Sequence, residues 1–241
     1  MTMSLLYRWP ARAHVGRPVP KTKFYEHGKM AASTRGKFVA EVQKIKWAYK
    51  LADATIHLRG TEDVPEIQVF VVAAKGDDVS DAVLTAVDRT VPFPIIFEIT
   101  RNDGDHSQTR MAACHKELGG VRPRMSAYFS IRWLPSDLER SPLPHALDLS
   151  SLYNGLLTPM LPIAARAGER LVEATARVGR ARKLEREIAT LQRRLRTEPQ
   201  FNRKVDLRRE LKDREATLAA LIDPAPNKAD NGPQKDAKWK S

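Results

Sequence analysis

The chain has 241 residues and a mass of 27.1 kDa, with 42% hydrophobic residues and a mean hydropathy of -0.45, enough for one well-buried core plus an appendage. Its 41 Lys and Arg against 29 Asp and Glu give a formal charge of +12, which favours a polyanionic partner, nucleic acid first and an acidic protein second. No apolar run approaches the ~18 residues that a membrane-crossing helix needs, and the lone Cys114 excludes an internal disulfide or a thiolate metal cluster built from this chain alone.

Met1 to Trp9 carries Leu5 and Leu6 as its only apolar pair, too short for the core of a signal peptide, so a cytoplasmic protein with no membrane partner is expected. From Tyr7 to Lys29, Pro10, Pro18 and Pro20 forbid a continuous helix and push the residues before them toward extended geometry. This is an ordered arm or an irregular strand. Arg, Lys, Trp, Phe and Tyr alternate along it, the mixture that holds phosphates and stacks bases; the competing expectation is that the aromatics anchor the arm to its own core.

A helix is expected next, capped by Ser33 or Thr34, with Phe38, Val42, Ile45, Tyr49 and Ala52 forming one apolar stripe at three-and-four spacing. Asp53 to Pro65 is a connection with a short extended piece around Ile56 and Leu58. The organising element follows at Glu66 to Lys75, an apolar, β-branched run of strand length bounded by turn residues, as a strand covered on both faces should be. Asp78 or Ser80 can cap a second helix that buries Val79, Val83, Leu84 and Val87. Pro92 and Pro94 end it. Ile95 to Ile99 is the next strand, giving a strand, helix, strand unit of the parallel crossover kind. Asn102-Asp103-Gly104 signals a tight turn, and Thr109 to Leu118 and Met125 to Leu134 are expected to extend the sheet as an antiparallel meander.

Prolines punctuate residues 135 to 162, with a short helical stretch near Leu149 to Met160. Beyond them Leu171, Ala174, Val178, Ala181, Leu184, Ile188, Leu191 and Leu195 continue one stripe close to heptad spacing. Thr197-Glu-Pro199 breaks it, and Val205, Leu207, Leu211, Leu218 and Leu221 start another. Two helices with a short break between them are expected to form an antiparallel hairpin; a coiled-coil homodimer is the alternative. The expected organisation is therefore an α/β (α+β) domain with a mixed sheet, covering helices and N-terminal arm over 1–140, a Pro-rich junction over 141–163, a long basic helical hairpin or coiled coil over 164–223, and a disordered tail over 224–241.

The hairpin concentrates the charge, from Arg177 through Arg180, Arg182, Lys183 and Arg186 to Lys212 and Arg214. It is densest around the break, where Arg193, Arg194, Arg196, Arg203, Lys204, Arg208 and Arg209 meet few acids, and arginine suits bidentate contact with phosphate. These seven are the candidate nucleic-acid contacts, with Lys21 and Lys23 of the arm as secondary ones. A solvated charged surface is the alternative for the same residues. A second constellation is acidic: Glu41, Glu66, Asp77, Asp78 and Glu98 with Lys75 could gather carboxylates near a sheet edge and hold Mg²⁺ in a divergent nuclease site. The spacing argues against it, because such a site needs an acid two residues before the lysine and position 73 is Ala. Helix capping by Asp78 and strand-end solvation of Glu66 and Lys75 explain these residues without chemistry. The six histidines show no paired ligand spacing. There is also no glycine-rich phosphate loop and no nucleophile elbow, so no metal site, catalytic residue or cofactor is assigned.

Leu6-Tyr-Arg-Trp-Pro10, Pro20-Lys-Thr-Lys-Phe-Tyr25, Trp47-Ala-Tyr-Lys-Leu-Ala52 with Thr55-Ile56, Pro65-Glu-Ile-Gln-Val-Phe70, Pro92-Phe-Pro-Ile-Ile-Phe97 and Gln200-Phe-Asn-Arg-Lys-Val205 together resemble the bacterial family known as domain of unknown function 4391. The likeness spans nearly the whole chain. It implies a setting rather than an active site: members are commonly encoded beside an SNF2-type helicase and a DNA methyltransferase, in islands resembling restriction-modification and anti-phage systems. The expected function is a non-enzymatic accessory subunit that contacts DNA phosphates and docks one of those partners. A divergent nuclease using Glu66, Lys75, Asp77 and Glu98, or a scaffold that binds protein alone, is the alternative.

Overall fold

A computed structural model describes residues 5–27, 30–104, 106–119 and 123–223, so the tail expected over 224–241 lies outside the described residues. In chain order the elements are β1 (His14–Pro18), α1 (Lys21–His27), α2 (Ala32–Glu41), β2 (Val42–Leu51), α3 (Asp53–Ile56), β3 (Ile67–Ala74), α4 (Asp81–Asp88), β4 (Ile95–Asp103), β5 (His106–Ala113), β6 (Lys116–Glu117), β7 (Arg124–Met125), β8 (Phe129–Ser130), β9 (Leu134–Pro135), α5 (Leu149–Leu157), α6 (Leu171–Thr197) and α7 (Phe201–Ile222). They divide into two compact units, Met1–Ala165 with Glu169–Gly179, and Arg166–Gly168 with Arg180–Ser241. The fold is mixed α/β, a mixed sheet followed by one long helix and another.

In the first unit the sheet runs β1-β2-β3-β4-β5-β8, with β9 also on β5. β3 and β4, joined through α4, pair in parallel; the other strand pairings of this sheet among the described residues are antiparallel. Alternation along each strand sends residues to opposite faces. On one face Phe70, Val72, Ile95, Phe97 and Ile99 pack with Phe24, Phe38, Val83, Leu84 and Val87 of the helices. On the other, Ile67, Val69, Ile96 and Met111 pack with Leu6 and Trp9 of the arm, Leu152 and Leu156 of α5, and Leu171, Ala174 and Val178 at the start of α6. The central strand is thus covered on both sides, as its apolar run predicts. Tyr7, Trp9 and Phe24 are buried, so the arm's aromatics serve as anchors.

The largest departure from expectation lies at α2 and β2. The stripe from Phe38 to Ala52 is not a single helix: α2 ends at Glu41 and the chain continues directly as β2. The buried residues of β2 are Val42, Ile45, Ala48 and Leu51, three apart, because the pairing with β3 shifts register between Val42 and Lys44 and again between Trp47 and Tyr49. Each bulge inserts a residue and turns the alternation over, so a bulged strand imitates helical spacing. Smaller corrections concern β5 to β9, shorter and more fragmented than the expected meander, and the piece around Ile56, which is the helical turn α3. Ser80 is the N-cap of α4, yet neither it nor Asp78 caps by side chain. Asp78 Oδ1 accepts instead from the Val79 N–H at 2.7 Å and the Arg110 guanidinium at 2.7 Å.

A buried polar knot joins the end of α4 to β5 and β6. Asp88, fully buried, pairs with Lys116, whose Nζ also donates to the carbonyls of Asp88 at 2.7 Å, Val91 at 2.8 Å and Phe93 at 3.1 Å. Asp88 Oδ2 accepts from Tyr128 Oη at 2.7 Å and Cys114 Sγ at 3.1 Å. Taking one partner away strands the other charge without water, which costs about 3–5 kcal/mol. Lys116→Met is therefore expected to lower unfolding free energy in urea by about that amount, and Asp88→Asn in the same chain to recover part of it; an unchanged midpoint in Lys116→Met would show that the pair carries no such strain.

Candidate nucleic-acid interface

In the second unit, α6 ends at Thr197 because Pro199 lacks a backbone donor and restricts Glu198 before it. α7 begins at Phe201. Arg214 of α7 reaches Glu187 of α6 at 3.4 Å, which folds the two helices back on one another. Ala181, Ile188, Leu191 and Leu207 are buried, while Leu184, Leu195, Leu211, Leu218 and Leu221 are half-buried. α7 buries Leu207 alone among its 22 residues, so its apolar stripe is shallow.

Residues 193 to 209 hold seven cations and two acids. Arg193, Arg194, Arg196, Arg203, Arg208 and Arg209 are exposed and Lys204 half-buried. Among the described residues none of the seven forms an ion pair; the pairs in this unit use Lys183, Arg214, Glu187 and Glu210. Arg193 Nε donates to the Ala189 carbonyl at 3.3 Å, and Arg194 lines an open groove of about 410 Å³ between the helices with Glu187 and Glu210. The fold therefore divides one residue type by role. Arg177 is buried in the first unit and held charged by Glu169, whose carboxylate accepts from it at 2.7 Å and 2.8 Å, so this part of the basic stretch is not open to a polyanion. Arg214 is committed to its carboxylates. The cations flanking the break stay open to solvent.

Sequence reasoning passed over Phe201, the first residue of α7, which is 73% exposed between Arg196 and Arg203, with Val205 one turn on at 40%. Its signal was present, since an aromatic beside a break and a run of cations has no core to fill. The secondary contacts belong to the first unit and differ from one another. Lys21 Nζ donates to the Val42 carbonyl, and partial burial followed by the nearby Lys75 charge lowers its pKa, so it ties α1 to β2. Lys23 is exposed.

The acidic constellation does not converge. Glu66 precedes β3, pairs with Lys50 at 2.5 Å and accepts from Gln68 Nε2. Lys75 lies beyond the other end of that strand, roughly 30 Å away at about 3.3 Å per residue, and donates to the Val39 carbonyl at 2.7 Å. Glu41 accepts from the Ser80 N–H at 2.7 Å, while the Asp77 carbonyl accepts from Arg101 at 2.9 Å. Glu98 sits mid-strand opposite Val71. Among the described residues no three His, Cys, Asp or Glu are placed to hold a metal ion.

Glu98 has another setting. It is 4% exposed, and its Oε1 accepts from Trp9 Nε1 at 2.6 Å and from the Arg140 guanidinium at 2.6 Å, which also reaches Oε2 at 3.1 Å. The hydrogen bond to Glu98 raises the Arg140 pKa, and the same guanidinium donates to the Tyr7 carbonyl at 2.9 Å. Above this group opens a cleft of about 290 Å³ lined also by Arg8, His14, Lys46 and Tyr49. No local motif announces it, because Glu98 and Arg140 are 42 residues apart.

Exposed, unpaired cations contribute little to folding. Arg208→Ala and Arg209→Ala are expected to change unfolding free energy by less than about 0.5 kcal/mol, whereas Leu207→Ala should cost about 2 kcal/mol or more. Denaturant melts of the three variants compare them; a large loss in either arginine variant would make those residues structural.

No curated protein and no solved structure matches the chain. The family model described as "Domain of unknown function (DUF4391)" matches residues 8–218, which takes in the sheet unit and nearly all of both C-terminal helices. By that match across most of its length, the chain belongs to the family of domain of unknown function 4391.

Proposed function

We propose that this protein is a non-enzymatic accessory subunit of a bacterial anti-phage or restriction-modification-like DNA-targeting complex in the cytoplasm, which contacts DNA phosphates through its helical hairpin and docks an SNF2-type helicase or a DNA methyltransferase. The observation that supports it is the placement of Arg193, Arg194, Arg196, Arg203, Lys204, Arg208 and Arg209 around one helix break, without ion pairs among the described residues. Arginine side chains that have no carboxylate to satisfy can meet phosphate bidentately, and they do so without first breaking an ion pair. The partner proteins rest on the family resemblance. In keeping with a cytoplasmic place, no described helix is long and apolar enough to cross a membrane.

A purely protein-binding scaffold is the second reading, favoured by Phe201 and Val205, whose exposed apolar surfaces stand one turn apart in the same charged region. Salt separates the two. Each neutralised phosphate contributes about -0.9 to the slope of log K against log salt, so four to seven contacts give roughly -4 to -6 on duplex DNA. Fluorescent duplex and single-stranded DNA titrated across a salt series should show that slope, with the DNA intact on a gel. Reversing Arg193, Arg196, Arg203 and Arg208 to Glu should weaken binding at least about tenfold and flatten the slope by about half. Equal affinity and slope in the reversed chain would remove the hairpin from the DNA site; absence of DNA binding with a salt-tolerant complex on a helicase or methyltransferase would establish the scaffold.

A further inference from the structure

The cleft over Glu98 lies where the apolar core of its sheet face stops. Ile67, Val69 and Ile96 are core residues, while Val71 and Glu98, next on the same face of β3 and β4, line the opening instead. Its walls are aromatic. The Tyr49 ring stands 5.5 Å from His14 at an interplanar angle of 68° and 6.1 Å from Trp9 at 34°. His14 is brought there by an irregularity in β1: the register with β2 shifts between His14 and Arg17, Gly16 takes a φ of +70°, and a Cβ on Gly16 would lie 2.5 Å from the His14 ring. A side chain at position 16 would displace the imidazole, so the bulge is shaped to carry that ring.

The charge of the cleft is positive. Arg140 neutralises Glu98 through a two-pronged contact, which leaves Arg8 and Lys46 facing the opening with no ion pair among the described residues. Arg8 is exposed and makes one long contact of 3.4 Å to the Arg140 carbonyl; Lys46 and Tyr49 are half-buried. An aromatic wall beside two cations, above a carboxylate whose Oε2 accepts a single hydrogen bond, presents a stacking surface, an anion site and a free acceptor together. The volume, about 290 Å³, falls just below the roughly 300–1,000 Å³ typical of small-molecule sites.

We infer that this cleft binds one nucleoside 5′-phosphate, with the base against Tyr49 and His14 and the phosphate at Arg8 and Lys46. The same chemistry is offered by a free mononucleotide and by the phosphorylated end of a DNA strand. The site lies wholly in the first unit and does not depend on the hairpin reading.

The test titrates the full chain by calorimetry with dAMP, dTMP, deoxyadenosine, inorganic phosphate and a tetranucleotide with or without a 5′-phosphate. The chain used carries the four hairpin reversals, so that contacts at α6 and α7 do not contribute. Saturable binding of dAMP or dTMP, with deoxyadenosine and phosphate each at least about tenfold weaker, is expected if base and phosphate act together. Lys46→Glu and Tyr49→Leu should each weaken binding about tenfold or more, with circular dichroism and melting curves checking that both fold. Lys46→Glu decides the matter alone if Tyr49→Leu fails to fold. Binding of the free mononucleotides assigns a free nucleotide; binding confined to the 5′-phosphorylated strand assigns a strand end. No saturable binding of either at millimolar concentration, or binding undiminished in Lys46→Glu, overturns the inference.

Discussion

A carboxylate set into the face of a β-sheet next to apolar neighbours carries a desolvation cost of several kcal/mol unless its lone pairs are filled. Glu98 is that group, and the donors that fill it come from far away in sequence: Trp9 lies 89 residues before it and Arg140 lies 42 residues after. Satisfying one side chain therefore requires two otherwise independent segments to lie across β4. They hold each other there, since the Arg8 N–H donates to the Ser141 carbonyl at 2.8 Å and the Ser141 N–H donates to the Leu6 carbonyl at 2.9 Å. With the arm so placed, Leu6 and Trp9 complete the apolar core on that face, and α5 and the start of α6 close over it. The cleft is what remains between the anchored arm and β2.

The parts of the fold legible in the sequence are those governed by nearest neighbours. The apolar run at Ile67 to Ala74, the stripe of α4, the strand at Ile95 and the proline break after α6 all follow from local pattern, and all are found where the pattern puts them. Gly104, with a φ of +60°, closes the hairpin signalled by Asn102-Asp103-Gly104. β2 was not legible, because its two bulges are imposed by pairing with β3 and produce a spacing that a strand does not have by itself. The cleft was hidden for a related reason. His14, Lys46, Tyr49, Glu98 and Arg140 share no spacing; sheet topology alone brings them together.

The basic residues show the same limit from the other side. Composition alone treats Arg177, Arg214 and Arg208 alike. In the fold Arg177 is a buried cation locked to Glu169, Arg214 bridges two helices, and Arg208 stands in solvent. Acids within reach make the difference: Glu169, Glu187 and Glu210 claim their arginines, whereas Glu198 and Asp206, the acids among the seven cations, enter no ion pair with them among the described residues. A strongly basic stretch is thus narrowed to a smaller exposed set by counting which charges are already spoken for.

The knot around Asp88 has a chemical corollary for Cys114. The thiol is 1% exposed, and burial first, then the Asp88 carboxylate that accepts from Sγ at 3.1 Å, drives its pKa far above the ordinary thiol range. The thiolate is the nucleophile in alkylation and disulfide exchange, and at neutral pH this site holds almost none of it. Since Cys114 is the chain's only cysteine, the native protein is in effect thiol-silent. A single cysteine introduced on either unit would be the sole reactive handle for a fluorophore, spin label or crosslinker, with no need to remove the natural one.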